Sequence, residues 1–89
     1  MKLRFYKYHG TGNDFILVDN RDDRFVPQTE LIAQLCHRRF GIGADGLIML
    51  NNVPGFDFGM RYFNADGNES TMCGNGGRCV VAFADYLSL

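Results

Sequence analysis

Residues 70–79 read STMCGNGGRC, a cysteine set against a glycine cluster with a second cysteine closing the run. Neither an apolar core nor a zinc site selects such neighbours. The run makes chemical sense if a helix begins just after Cys73, with Gly74, Asn75, Gly76 and Gly77 as its first turn. The backbone N–H groups of a first turn have no acceptor within the helix, and together with the helix dipole they favour a thiolate or a bound carboxylate. The glycines would let a substrate acid reach that bare backbone. The competing reading makes Cys73 a small apolar residue and the glycines a tight connection. This stretch alone leaves both open.

The other candidates for chemistry carry less. Cys36 and Cys79 each fall on an apolar helical stripe, which assigns them to packing. Cys79 lies about 240° around an ideal helix from Cys73, an awkward placement for a disulfide within one helix. Cys73, Cys79, His9 and His37 lack the spacing of a zinc site, so no metal is expected. Gly41, Gly43 and Gly46 in GIGADG satisfy GxGxxG, but a helix precedes the motif and a strand follows it, the reverse of a dinucleotide site. The expectation is a turn at the end of a helix, with Gly41 at or near the left-handed position. His9 and His37 read as structural or surface residues.

Hydrophobic period orders the elements that must position these groups. Residues 3–8 and 15–19 read as strands around the turn HGTGND, a loop that could face a ligand. In QTELIAQLCHRRF, Leu31, Ile32, Leu35, Cys36 and Phe40 recur at helical spacing, predicting a helix over 29–39 with Thr29 as N-cap. Strands follow at 47–51 and 56–63, the second placing Phe56, Phe58, Met60 and Tyr62 on one face. Asp66-Gly67 turns the chain. From Asn75 the stripe Cys79, Val80, Phe83, Tyr86 and Leu87 predicts a second helix.

With 46% apolar and 21% charged residues, the 89 residues describe one globular unit with a small core. Nine basic against ten acidic residues, net charge −1, give no footprint for nucleic acid or an anionic membrane. A small-molecule partner is expected. Three cysteines do not make an even disulfide framework and point to the reducing cytosol. No eighteen apolar residues run together, and the N-terminus lacks the apolar core of a signal peptide.

HGTGNDFILVD, HRRFGIGADGL, FNADGNES and MCGNGGRC, in that order, resemble the N-terminal half of the diaminopimelate epimerase family. The resemblance covers nearly the whole chain, and the four motifs together are far more specific than any one. It implies cofactor-free inversion at the α-carbon of diaminopimelate, between the LL and meso forms, by two opposed cysteines. One removes the α-proton as thiolate while the other donates from the opposite face as thiol. By motif match Cys73 is one of the pair, Gly74 and Asn75 hold the α-carboxylate, and Asn13 and Asn64 bond polar groups of the substrate. Read without the resemblance, the two asparagines are equally turn formers. Gly46 stands where some relatives carry a glutamine that reaches the ligand, so no side-chain contact transfers to it.

The implied fold is α+β, a mixed sheet wrapped around a central helix and forming one half of a pseudo-symmetric pair. Residues 1–89 would then be a catalytic half-domain, read as truncated because family members carry a second half with the opposing cysteine. Alone it is expected to be inactive. It would associate as a homo-oligomer or with a second half. Two alternatives stand beside this reading: half of a proline-type racemase, and a dimerising redox module built on Cys73.

Overall fold

The computed structural model describes residues 4–9, 12–22, 24–52, 54–55, 58–70 and 74–87, without the side chains of 74–78. The chain forms a small α+β domain with one mixed five-stranded sheet and two helices. The strands are β1 (Tyr6–His9), β2 (Asp14–Asp19), β3 (Gly46–Asn51), β4 (Gly59–Asn64) and β5 (Glu69–Ser70). Helix α1 (Thr29–Cys36) connects β2 to β3, and α2 (Gly74–Tyr86) follows β5. The strands lie side by side in chain order. Only β2 and β3 run parallel, because only they are joined by a helical crossover long enough to return the chain to its starting end.

Covering both faces explains why FILV and LIML read as continuous apolar runs instead of alternating ones. Ile16, Val18, Leu47, Met49 and Phe63 pack with Ile32 and Cys36 of α1. Phe15, Leu17, Ile48 and Leu50 pack on the opposite face with Cys79, Val80 and Phe83 of α2. The packing assignment of Cys36 and Cys79 holds, since both are buried within the apolar clusters. In β4 the expected face is present in part: Phe58 and Tyr62 join the α2 cluster, whereas Met60 is exposed. Phe56 lies outside the described residues.

Helix α1 departs from expectation at both ends. Its N-cap is Gln28, with no side-chain capping bond, and Thr29 is already helical. At the other end His37 is extended. The following segment folds back onto the last turn, where Ile42 N and Gly43 N donate to the Leu35 carbonyl at 2.8 and 3.0 Å, and Ala44 N donates to that of Cys36 at 3.0 Å. Carbonyls left open by the end of the helix thereby gain donors. The fold-back carries Phe40 off the stripe to 74% exposure, so it does not belong to the helical face. It also corrects the role of Gly41. The left-handed residue is Gly43 (φ +86°), while Gly41 is needed for close approach: a Cβ there would sit 2.0 Å from the Gln34 carbonyl oxygen.

The Asp66-Gly67 turn joins β4 to β5, a two-residue strand too short to show a period in the sequence. Asn64 and Asn68 bond through their backbones, and Asn68 N donates to Asp66 Oδ1 at 2.9 Å. Gly67 is left-handed (φ +89°), and a Cβ on it would meet the Thr29 carbonyl oxygen at 1.9 Å. The hairpin tip is thus seated on the start of α1.

Candidate functional site

Register brings the sequence-predicted asparagines to one end of the sheet. His9 pairs with Asp14, Phe15 with Gly46, and Gly46 with Asn64, so β1 and β4 finish where β2 and β3 begin. Asn13 is exposed immediately before β2, and Asn64 is half-buried at the end of β4. The backbone of Asn64 also closes the hairpin, accepting from Gly67 N at 2.9 Å. Its turn-forming role is therefore real, and it leaves the side chain available for a second one.

Helix α2 is oriented by its aromatic residues. Tyr86 packs on Tyr6 with centroids 5.4 Å apart, and Phe83 lies against both Tyr6 (4.9 Å) and Tyr8 (5.8 Å). Moving from Tyr86 back to Phe83 follows β1 towards the end where it finishes. Gly74, nine residues before Phe83, is about 13 Å farther back along the axis. The first turn of α2, with the backbones of Gly74 and Asn75, is directed towards the end of the sheet that carries Asn13 and Asn64. Cys73 and the side chain of Asn75 lie outside the described residues.

Gly46 sits between Phe15 and Asn64 with no room for a side chain. A Cβ there would meet the Phe63 carbonyl oxygen at 2.8 Å and the Tyr62 ring and hydroxyl at 3.0 and 3.1 Å. The Tyr62 ring, edge-on to Phe15 with centroids 5.9 Å apart, fills that volume.

A charged network at the same end escaped the sequence reading. Asp14, 7% exposed, accepts from Arg38 Nη1 at 3.0 Å, Arg38 Nη2 at 2.7 Å and Lys7 Nζ at 2.9 Å. Lys7 also donates to the Gly43 carbonyl, while Arg38 reaches Asp45 Oδ1 at 3.1 Å. Asp45 in turn accepts from the Asp14 backbone N–H at 3.1 Å and from Asn13 Nδ2 at 3.3 Å. The Arg38 hydrogen bonds, assisted by Lys7 and opposed by burial, hold the Asp14 carboxyl well below the usual carboxylate range, and the same pairing raises Arg38. Nearby, burial and the Asp14 charge push the Cys36 thiol up to about 11. Arg38 lies 24 residues from Asp14, and Asp45 lies 31 residues from Asp14 and 32 from Asn13, so no local motif announces the network. The available signals were Lys7 inside an aromatic strand and Asp14 at the head of FILV.

Among the described residues no group of three His, Cys, Asp or Glu side chains could hold a metal ion. His37 serves its own turn, its Nδ1 accepting from the backbone of Arg39 and Phe40 at 3.1 and 3.2 Å. No helix among them is long and apolar enough to cross a membrane.

Fold and register define a small α+β domain that gathers polar groups at one end of its sheet. Comparison with known proteins supplies the family. Residues 5–87 match the profile described as Diaminopimelate epimerase, and the chain belongs to that family. It is 64% identical over 88 residues to a diaminopimelate epimerase of Flavobacterium psychrophilum, covering 98% of this chain and 34% of that protein. A Synechococcus diaminopimelate epimerase is 53% identical over 91 residues, covering 99% and 32%. A chloroplastic diaminopimelate epimerase of Oryza sativa is 55% identical over 87 residues, covering 96% and 25%. The chain thus spans between a quarter and about a third of the length of these relatives. None of them favours the proline-type racemase or the redox module.

Proposed function

We propose that these 89 residues supply one half of a cofactor-independent amino-acid epimerase site that interconverts LL- and meso-diaminopimelate. The observation that carries this reading is the family match over residues 5–87, which spans Asn13, Asn64 and the whole MCGNGGRC run. In the proposed step the Cys73 thiolate takes the α-proton on one face while a thiol from the second half donates a proton to the other. One C–H bond breaks and one forms, and the two sulfurs exchange protonation states. Gly74 and Asn75 offer unpaired first-turn N–H groups to the α-carboxylate, which offsets the negative charge building on the α-carbon. Asn13 and Asn64, each with donor and acceptor atoms, suit the remaining polar groups of a zwitterionic ligand.

A half-domain of a pseudo-symmetric pair needs a partner surface. The outer edges of β1 and β5 have no strand beside them among the described residues, and Val81 and Tyr86 of α2 are exposed. Open edges and exposed apolar side chains favour association with another copy or with a second half. The buried free thiol of Cys36 suits a reducing compartment, and we place the protein in the cytosol.

The test is proton NMR of LL-diaminopimelate with the purified chain in D₂O. The expected result is negligible inversion by the chain alone, with any slow α-proton exchange lost in Cys73→Ser. Robust inversion by a verified monomer would overturn the need for a second half, and exchange that survives Cys73→Ser would overturn the assignment of the base.

A further inference from the structure

We propose that the start of α1 is a fixed stop for the β4–β5 hairpin, and that Gly67, seated against it, is a positioning residue for Asn64. The ligand-binding role of Asn64 rests on the reading in the preceding section, whereas the seat of the hairpin stands on geometry alone.

Both backbone groups of Asn64 are tied to the hairpin. Its N–H donates to the Asn68 carbonyl at 2.9 Å, and its carbonyl accepts from Gly67 N at 2.9 Å. A third bond, from Asn68 N to Asp66 Oδ1 at 2.9 Å, stiffens the turn. Asn64 therefore sits where the hairpin tip puts it. The tip in turn rests on the backbone of Thr29: a Cβ on Gly67 would meet the Thr29 carbonyl oxygen, carbonyl carbon and Cα at 1.9, 2.7 and 3.0 Å. A Cβ has no rotamer with which to escape, so one side must move. Helix α1 is the anchored side. Ile32 and Cys36 are buried in the core beneath it, and the carbonyls of Leu35 and Cys36 take bonds from Ile42, Gly43 and Ala44. Just beyond its end, Arg38 holds the buried Asp14 through two bonds. A side chain at position 67 accordingly pushes the hairpin away from α1, and Asn64 with it. Losing one well-placed hydrogen bond to a ligand weakens binding about two- to tenfold.

The experiment follows the side-chain amide pair of Asn64 and the backbone amides of α1 by ¹⁵N–¹H NMR in the 89-residue chain. Gly67→Ala and Gly67→Asn are both expected to shift the Asn64 pair while the amides of Ile32 and Cys36 stay in place. Asparagine tolerates a left-handed backbone better than alanine but carries the same Cβ, so shifts in both variants tie the effect to the seat and not to strain. Gly55→Ala is the control for strain. Gly55, between β3 and β4, is also left-handed (φ +85°), but a Cβ there has nothing within 4 Å. That variant should lose stability and leave the Asn64 pair unmoved. An Asn64 pair that keeps its position in Gly67→Ala, or that moves in Gly67→Ala but not in Gly67→Asn, overturns the proposal, as do shifts confined to α1. Should Gly67→Ala not fold, an Asn64 pair unmoved in Gly67→Asn overturns it. Titration with diaminopimelate in the same spectra separates the two readings. Binding that is two- to tenfold weaker in Gly67→Asn than in wild type and Gly55→Ala supports both. Binding of equal strength in all three overturns the positioning role. An Asn64 pair that responds to Gly67→Asn while wild type ignores diaminopimelate leaves the seat standing and removes the substrate assignment.

Discussion

Replacing Asp14 by asparagine removes the charge that gathers Lys7 and Arg38, and the structure sets the size of the loss. The Asp14 side chain is 10% exposed and accepts three side-chain hydrogen bonds from two cations. Stranding fully buried partners costs about 3–5 kcal/mol, while exposed pairs are worth about 1 kcal/mol or less. Here the carboxylate is buried, but Lys7 and Arg38 are 26% and 60% exposed and can rehydrate. Asp14→Asn should therefore cost about 2–3 kcal/mol at neutral pH, in the range of hydrogen bonds to charged groups. The pH dependence has a definite sign. The folded state holds the Asp14 carboxyl below its unfolded value. Its contribution is complete above the unfolded value of about 3.9 and drains away as pH falls through it towards the lower folded one. Urea unfolding of both proteins, followed by circular dichroism, should show the gap at pH 7 narrowing progressively below about pH 4. Taking the difference cancels the other carboxyls held low by their partners, Asp19, Asp66 and Glu69. A gap under about 0.5 kcal/mol at pH 7, typical of an unremarkable surface site, would refute the reasoning. So would a gap that does not change with pH.

Gly67→Ala should cost more than about 1 kcal/mol and loosen the β4–β5 hairpin, because it strains a left-handed residue and drives a methyl into the Thr29 carbonyl; thermal unfolding and amide exchange at Asn64 and Asn68 read both effects. Among the cysteines, Cys73 should be alkylated first under native conditions by mass mapping, since Cys79 is buried and Cys36, buried and pushed up to about 11, is roughly a thousandth thiolate at pH 8; earlier labelling of Cys36 or Cys79 contradicts this. Sedimentation under reducing conditions should find a homodimer or larger assembly covering the open edges, and a compact monomer at high concentration argues against it.

Much of the fold was legible because period and burial agree. FILV and LIML could be read as strands because both of their faces are covered, and Cys79, Val80 and Phe83 as a stripe because they turn one helical face to an apolar layer. The errors fall where local pattern yields to tertiary contact. Phe40 continues the spacing of α1 but is carried outwards by a fold-back whose bonds reach the Leu35 and Cys36 carbonyls. Gly41 and Gly43 look alike in sequence, and only the path of that fold-back decides which one must be left-handed. Asn13 and Asn64 could be named from motifs, yet their alignment at one end of the sheet follows from strand register. The network of Lys7, Asp14, Arg38 and Asp45 has no period and no motif. It exists because the βαβ crossover returns Asp45 beside Asp14.

The central claim is that Cys73 serves as a proton-transfer base in a site completed by a second half. Its most direct test is a chimera in which this chain replaces the matching 88 residues of the Flavobacterium psychrophilum relative, assayed for inversion of LL-diaminopimelate in D₂O. The chimera should produce the meso form with deuterium at the inverted carbon, and Cys73→Ser in the same chimera should lower the rate by at least about a hundredfold, the scale of a positioned acid–base group. A folded chimera that fails to invert the substrate, or one that inverts it undiminished without the Cys73 thiol, would contradict it.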